Sequence, residues 1–418
     1  MPRAKTIVIV GGGVIGLCTA YYALQKGHHV TIIERGGPDH DCCSLGNAGM
    51  VVPSHFIPLA APGIVQTGLS MMLHADSPFS IRPRLDSGLM RWGWLFARAC
   101  TGQHVERSAP LLLKLNLASR GCYEEFAEQI GGFGLVKKGL LMLVKSHEAL
   151  KEEASVALRA CRLGLQAELL TAEEASDLDR GIRMDIAGAV YFPLDCHLIP
   201  QDFVAKLTQS LQSMGVEFRW QTEVTGWRAK DGAIAAVQTS TGEISADEYV
   251  LAAGSWSEET VRKLGLRLPL QAGKGYSVTM PNPRQMPTLC SILTEARVAV
   301  TPMGSALRFG GTMEIGNRDT TINQARVRGI FKSIPSYFPN FTAEDFKDLP
   351  VWSGMRPCSP DGLPYIGRFE KYSNLSAATG HAMMGVSLGP ITGRLMADIL
   401  SDETPQIDIA GLSPNRYR

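Results

Sequence analysis

What this sequence lacks narrows its function first. Lysine plus arginine (41) and aspartate plus glutamate (40) nearly cancel, leaving a formal net charge of +1. There is no basic surplus of the kind that releases counterions from nucleic acid, so a nucleic-acid partner is excluded. No CxxC pair occurs among the nine cysteines, and the two nearest, Cys42 and Cys43, are adjacent. That pattern carries neither a disulfide framework nor a zinc site and suits a reduced, cytoplasmic chain. Prolines interrupt the apolar stretches before any is long enough to cross a membrane. No Ser/His/Asp or paired-carboxylate constellation for hydrolysis is legible.

What is present points to a large, well-packed molecule. Of the 418 residues, 45% are apolar and 19% charged, enough for an extensive core and about two to four domains, or fewer if they interleave. The 43 glycines follow no repeat, so the excess speaks for backbone approaching a ligand closely.

The chain opens with MPRAK followed by twenty uncharged residues, a pattern shared by export signals. Its detail favours a nucleotide fold. Thr6 to Val10 is a β-branched run typical of a buried parallel strand. Gly11, Gly13 and Gly16 follow in GxGxxG spacing, Val14 to Lys26 forms a helix, and HHVTIIE is a second strand ending at Glu34. Gly11 permits the tight turn, Gly13 lets a pyrophosphate sit against bare backbone, and Gly16 lets helix and strand pack closely. The helix N-terminus offers free N–H groups and partial positive charge to phosphates. Glu34 is placed to bind ribose hydroxyls and to repel a 2′-phosphate, which disfavours NADP.

Long uncharged segments favour FAD over NAD. Residues 42–75 and 375–393 contain no Asp, Glu, Lys or Arg, and VWSGM leads directly into Arg356. Irregular apolar stretches need something apolar to cover, and an isoalloxazine ring would serve. Asn374 to Thr379 reads as a strand, Gly380 to Ser387 as a loop and Ile391 to Leu400 as a helix, a second positive end that would stabilise a reduced flavin. A second GxGxxG and a redox CxxxxC are both missing, which excludes the two-nucleotide disulfide reductases.

Taken together, GGGVIG, Glu34, SLGNAG (44–49), VLAAGSW (250–256), WSGMRPCSPDGLPYIG (352–367) and TGHAMMG (379–385) resemble the FAD-dependent D-amino-acid oxidoreductases, and within them the bacterial D-amino-acid dehydrogenases, relatives of glycine oxidase and sarcosine oxidase. The resemblance runs from the first strand to the terminal SPNRYR. It implies an α/β (α+β overall) fold, with a discontinuous Rossmann-like FAD-binding domain (1–62, 196–265 and 350–418) and an antiparallel-sheet substrate domain (63–195 and 266–349). It also implies that Gly11, Gly13, Val14, Ile15, Gly16, Glu34 and Arg35 hold the ADP portion. Ser44, Asn47, Ala48, Gly49 and Met50 would line the flavin. Val224, in FRWQTEV, would bond adenine through its backbone, and Ala253, Gly254 and Trp256 would sit near the pyrophosphate. Gly380, His381, Met384, Gly385, Val386, Ser387 and Leu388 would lie at the pyrimidine edge, and Arg356 would bind the substrate carboxylate. Sarcosine oxidases attach flavin through a cysteine at the position held here by Gly354, so non-covalent FAD is expected.

Three ionisable candidates follow for the chemistry. Arg356 suits a carboxylate because guanidinium presents two parallel donors. Tyr276, in GKGYSVTM, is either a lid or carboxylate partner, or a sheet tyrosine. His55, in VVPSHFIPLAAPG, contacts substrate or tunes the flavin, or else is a satisfied structural histidine. Thr312 and Glu314 are candidates to face the pocket. The expected reaction is hydride transfer from Cα of a small D-amino or D-imino acid to flavin N5, giving a 2-oxo acid and ammonia. Cofactor electronics and positioning carry it, so no dedicated base is demanded. Electrons would pass to a quinone or another non-oxygen acceptor. The alternatives are a D-proline or hydroxy-D-proline dehydrogenase and an oxygen-using glycine or N-methyl amino-acid oxidase. Two apolar helices, in 63–73 and 86–100, with Leu89, Trp92, Leu95 and Phe96 on one face, read either as core or as a peripheral contact with the inner face of the cytoplasmic membrane. PLDCHLIP, with consecutive Asp195, Cys196 and His197, reads as the entry to a helix over 200–214 rather than as a metal site.

Overall fold

The computed structural model describes residues 3–72, 76–82, 86–316 and 318–417. Met1, Leu73 and Arg418, where expected segments begin or end, lie outside them. Two sheets dominate. The first has six strands in the order Tyr365–Arg368, Leu375–Thr379, Glu248–Leu251, Thr6–Val10, His29–Ile33, Glu217–Arg219, all parallel except the first. Thr6–Val10 is central, with Ile9 in register with Ile32 on one side and Val250 on the other. Val8 and Ile9 are almost wholly buried, as a strand covered on both faces must be.

The second sheet has nine strands. Val351–Cys358, Gln271–Pro281, Ala306–Ile315, Val298–Met303 and Cys290–Leu293 pair antiparallel in that order, and Leu140–Val144, Gly188–Phe192 and Glu168–Leu170 extend the sheet. A short strand, Phe79–Ile81, adds parallel to the end of Ala306–Ile315. The expected boundary at 350 falls just before Val351–Cys358, yet this strand is hydrogen-bonded along Gln271–Pro281 in the large sheet. The crossing back comes after Cys358, at the turn Ser359–Gly362.

Two helices cross over the parallel sheet. The first, Val14–Gln25, follows the glycine turn. The terminal helix, Gly385–Leu400, begins six residues before the expected Ile391 despite Pro390. Proline cannot donate to the carbonyl four residues back. Here that carbonyl, of Val386, accepts instead from Tyr123 Oη at 2.5 Å, so the helix continues without an orphaned acceptor. A Cβ on Gly393 would run into the Cys18 carbonyl, and one on Gly389 would come within 3.1 Å of Val14. These glycines let the helices touch near their starts, which brings both N-termini to one edge of the sheet.

Several other expected helices form with small shifts. Pro200 is the first residue of the helix Pro200–Ser213. Helices Ile64–Met71 and Ser87–Ala99 form as expected. Leu89 and Trp92 are buried against Met313, Ile315 and Cys358, so this stripe is core. Leu69, Met90 and Trp94 remain exposed. No described helix is long and apolar enough to cross a membrane. Val224 does not continue a strand from Phe218. Gln221 takes a left-handed φ of 51° and donates its N–H to Gly36 O, breaking the run, and Val224 opens a separate three-stranded meander.

Candidate active site

The glycine turn shapes the first half of the site. Gly11 has φ 116°, and a Cβ there would lie 2.5 Å from Ala252 O. A Cβ on Gly16 would overlap Gly11 O, so both positions exclude side chains. The first helix has neither an N-cap side chain nor an acid in its first turn, and Val14 N donates to Ser44 Oγ at 3.1 Å. Glu34 turns back on the loop: Oε2 accepts from Gly12 N at 2.8 Å and Oε1 from Gly36 N at 2.9 Å. Thr222 N bonds Glu34 O at 2.9 Å, which brings the segment before Val224 beside the acid. Arg35 stacks on Trp256 at 3.7 Å, closing the second wall. Gly254, at φ 54°, has open space where a side chain would be.

The segment 41–50 is held by residues that the sequence reading did not single out. Arg308 is buried, and Nη1 donates to Leu45 O at 2.8 Å and Asn47 O at 2.7 Å while Nε reaches Thr279 Oγ1 at 3.0 Å. Burial pushes its pKa down to about 10. Trp352 Nε1 donates to Asp41 at 2.6 Å, and its ring fills the space where side chains on Gly46 and Gly354 would stand. Gly354, expected to preclude a covalent flavin link, is thus also required by this ring. Asn47 Oδ1 accepts from Gly49 N at 2.8 Å, and Gly49 (φ 72°) lies too close to Leu198 O for a side chain. Ala48 and Met50 pack with Phe56 and Met384. A buried arginine facing main-chain carbonyls is a recognisable use of guanidinium, but which carbonyls it meets depends on sheet register.

The terminal helix also starts uncapped by a side chain. Ser387 Oγ accepts from Val52 N at 3.0 Å and donates to Asn116 Oδ1 at 2.7 Å. His381 is buried; Nε2 meets Thr392 Oγ1 at 2.9 Å and Nδ1 has no partner. Burial lowers its pKa to about 3, so the ring is neutral. A bridge pairs His381 with Cys358. Ser255 Oγ donates to Met355 O at 2.9 Å. These bonds join both sheets at the site.

Arg356 sits at this junction. It pairs with Gly273, so its side chain shares a face with Gly273 and Gly275. A Cβ on Gly275 would collide with the guanidinium. Nη1 donates to Thr312 O at 2.5 Å. Thr312 has φ 69° and stands where the pairing slips between Lys274↔Glu314 and Tyr276↔Gly311. This bulge turns its carbonyl toward the arginine. Thr312 Oγ1 is buried without a partner. Burial lowers the Arg356 pKa, the thiols of Cys43 and Cys358 lie near it, and no carboxylate of the described residues pairs with it. A desolvated guanidinium with one hydrogen-bonded carbonyl keeps donors for an anion.

Tyr276 is on the other face. Its hydroxyl donates to Glu314 and accepts from Asn323 N at 3.1 Å, and its ring packs with Val300, Phe309, Ile330 and Ile334. Side-chain alternation beside Gly275 dictates this. Tyr276 therefore cannot be a lid or carboxylate partner at Arg356, and Glu314 is its partner. A cavity of about 290 Å³, lined by Ser77, Pro78, Ile330 and Ser333, also lies away from Arg356. His55 keeps some solvent access although protein surrounds it, and burial lowers its pKa to about 4. All nine cysteines are free thiols.

The residues present fit a flavin dinucleotide: glycines a Cβ would obstruct, two helix ends without capping side chains, and unpartnered His381 Nδ1 and Thr312 Oγ1. Known proteins agree. The family model described as FAD dependent oxidoreductase matches residues 6–399. A D-amino acid dehydrogenase of Bradyrhizobium diazoefficiens is 32% identical over 421 residues, covering 98% of each chain. One of Vibrio atlanticus is 30% identical, covering 98% of this chain and 99% of that protein. Among solved structures, glycine oxidase from Geobacillus kaustophilus superposes with a TM-score of 0.78 at 25% identity over the whole of both chains. L-proline dehydrogenase from P. horikoshii, at 19% identity, covers 100% of this chain and 98% of its own with a TM-score of 0.73 and shares the fold. From its glycine turn to its terminal helix, this chain belongs to the FAD-dependent oxidoreductase family.

Proposed function

We propose that the protein oxidises small D-amino acids to 2-oxo acids and ammonia, passing electrons to a quinone or another acceptor that is not oxygen. The observation that carries this reading is Arg356: an enclosed guanidinium, aimed by Thr312 O and a side-chain-free Gly275, with no carboxylate of its own among the described residues. A substrate carboxylate supplies the missing charge through two parallel bonds. The D configuration and the acceptor follow the relatives named D-amino acid dehydrogenase.

The chemistry that FAD would supply, when bound, is that of a two-electron acceptor for the Cα hydrogen. In this reading, Gly11, Gly13, Gly16 and the first turn at Val14 and Ile15 bind the pyrophosphate, Glu34 the adenosine ribose, and Arg35 with Trp256 the wall beside it. Segment 44–50 and the turn from Gly380 to Leu388 enclose the ring system non-covalently. Arg356 fixes the carboxylate and so orients Cα, while Ala48, Met50 and Met384 exclude water. The expelled imine hydrolyses in solution. Met90 and Trp94, outward on a helix with Arg91 and Arg98, suit a membrane-held acceptor.

Anaerobic bleaching of the holoenzyme by D- and L-amino acids tests the reading. Bleaching by D-alanine, and negligible oxygen uptake beside rapid quinone-dye reduction, are expected. A flavin that no amino acid bleaches overturns it. Preference for D-proline or hydroxy-D-proline would shift the substrate to the cyclic imino acids.

A further inference from the structure

A hydrogen-bonded chain runs from the interior to the loop that carries His55. Asp195 is fully buried. Its Oδ1 accepts from Ser54 N at 3.0 Å and its Oδ2 from Ser54 Oγ at 2.5 Å, while Ser54 Oγ lies 3.0 Å from His55 Nδ1. His55 Nε2 has no hydrogen-bond partner among the described residues, nor is it among the buried orphaned atoms, so it meets solvent. The loop reaches the terminal helix through Val52 N and Ser387 Oγ, three residues before His55. The arginine strand reaches the start of the same helix through the Cys358–His381 bridge, two residues after Arg356. Both the His55 loop and the Arg356 strand are therefore tied to the start of one helix.

The serine hydroxyl has a single proton, which couples the two ends. With Asp195 ionised, Ser54 donates to it and must accept Nδ1–H, leaving a lone pair on Nε2. With Asp195 protonated, every bond reverses and Nε2 carries the proton. The arrangements differ by one proton, stored on Asp195, and the ring stays neutral in both. We propose that His55, Ser54 and Asp195 form a proton relay that deprotonates the ammonium group of the bound substrate. An N–H bond of the ammonium breaks and its proton joins Nε2. Nδ1 passes its proton to Ser54 Oγ, whose own proton goes to Asp195 Oδ2. The electron pair stays on nitrogen, giving the neutral amine from which hydride can leave, and no oxidation occurs in this step. The inference rests on the amino-acid reading of the Arg356 site.

The surroundings suit this role. Burial raises the Asp195 pKa to about 7, with the two Ser54 bonds and Arg120 of the helix Gly102–Gln129 opposing; the thiols of Cys196 and Cys290 are also near. Burial lowers the His55 pKa to about 4 and keeps the ring from becoming an imidazolium. Below about pH 7 Asp195 holds its proton and the relay is blocked; above that it can accept.

The test is anaerobic flavin reduction at saturating D-alanine between pH 5.5 and 10, in wild-type holoenzyme and in Ser54→Ala and Asp195→Asn. The wild-type rate should fall through an inflection near pH 7. Both variants should lose that inflection, reduce roughly tenfold to a hundredfold slower at neutral pH, and recover toward pH 10, where the substrate supplies its own free amine. Propionate, a carboxylate without an amine, should perturb the flavin spectrum alike in all three. If Asp195→Asn fails to keep flavin, Ser54→Ala carries the test, because it leaves the carboxylate in place. A Ser54→Ala rate and profile matching wild type, or a loss equal at every pH, overturns the relay while the function stands. A wild-type flavin not bleached at all overturns both.

Discussion

The guanidinium of Arg356 occupies the space directly above Gly275, where any larger residue would place its Cβ. One strand supplies the charge and its neighbour the vacancy that aims it. In the proposed function, the glycine thus serves the carboxylate site without contacting substrate.

Arg356→Ala should raise KM roughly tenfold to a hundredfold, as expected for losing charge-assisted bonds of about 1.5–3 kcal/mol, with the flavin still bound. Steady-state kinetics and the visible spectrum measure both. Gly275→Ala keeps the charge but evicts it from its seat, and should raise KM in the same direction. An unchanged KM in Gly275→Ala would show that the guanidinium has room elsewhere.

Arg308→Met should weaken flavin binding before it affects substrate binding. It removes the donors that hold Leu45 O and Asn47 O and leaves two carbonyls to find water. The expected change is about 1–3 kcal/mol, read as a higher dissociation constant in flavin fluorescence titration.

Glu34→Gln should also lower flavin affinity, by a different route. One oxygen of Glu34 bonds Gly12 N and the other Gly36 N. An amide can accept through only one of its two heads, so the loop loses order as well as a ribose partner. Titration with FAD and with riboflavin separates these effects, because only FAD has the adenosine ribose.

The C-terminal tail should contribute stability at neutral pH that is lost in acid. Arg416 pairs with Asp361 through Nε at 2.7 Å and Nη2 at 3.0 Å and stacks 3.8 Å above Tyr365. Burial alone would raise the Asp361 pKa, but the charge and bonds of Arg416 outweigh it and hold the carboxyl below its ordinary value. A depressed carboxyl contributes stability above its unfolded pKa, near 4, and loses it as pH falls through the folded value. Arg416→Ala, which strands a buried carboxylate, should cost about 3–5 kcal/mol at pH 7, and less as the pH drops below about 4. Thermal unfolding at pH 7 and pH 3.5 measures the difference.

Local order carried much of this molecule. The β-branched strand Thr6–Val10, the glycines after it and Glu34 lie within one short segment, where spacing dictates geometry, so the dinucleotide turn was legible from residue types. The same holds for Pro200 at a helix start. The start of the terminal helix at Gly385 was not legible, because the N–H that Pro390 lacks is offset by Tyr123, a partner remote in sequence. Tyr276 and Arg356 sit on adjacent strands, and only their register decides that one faces the cleft and the other the packed face under Ile330 and Ile334. The bulge at Thr312, the hold of Arg308 on Leu45 and Asn47, and the Asp195–Ser54–His55 chain all join segments far apart in sequence. Residue identity supplied their chemistry, but a single-residue slip in pairing would turn each side chain to the opposite face, and that choice belongs to the packed fold.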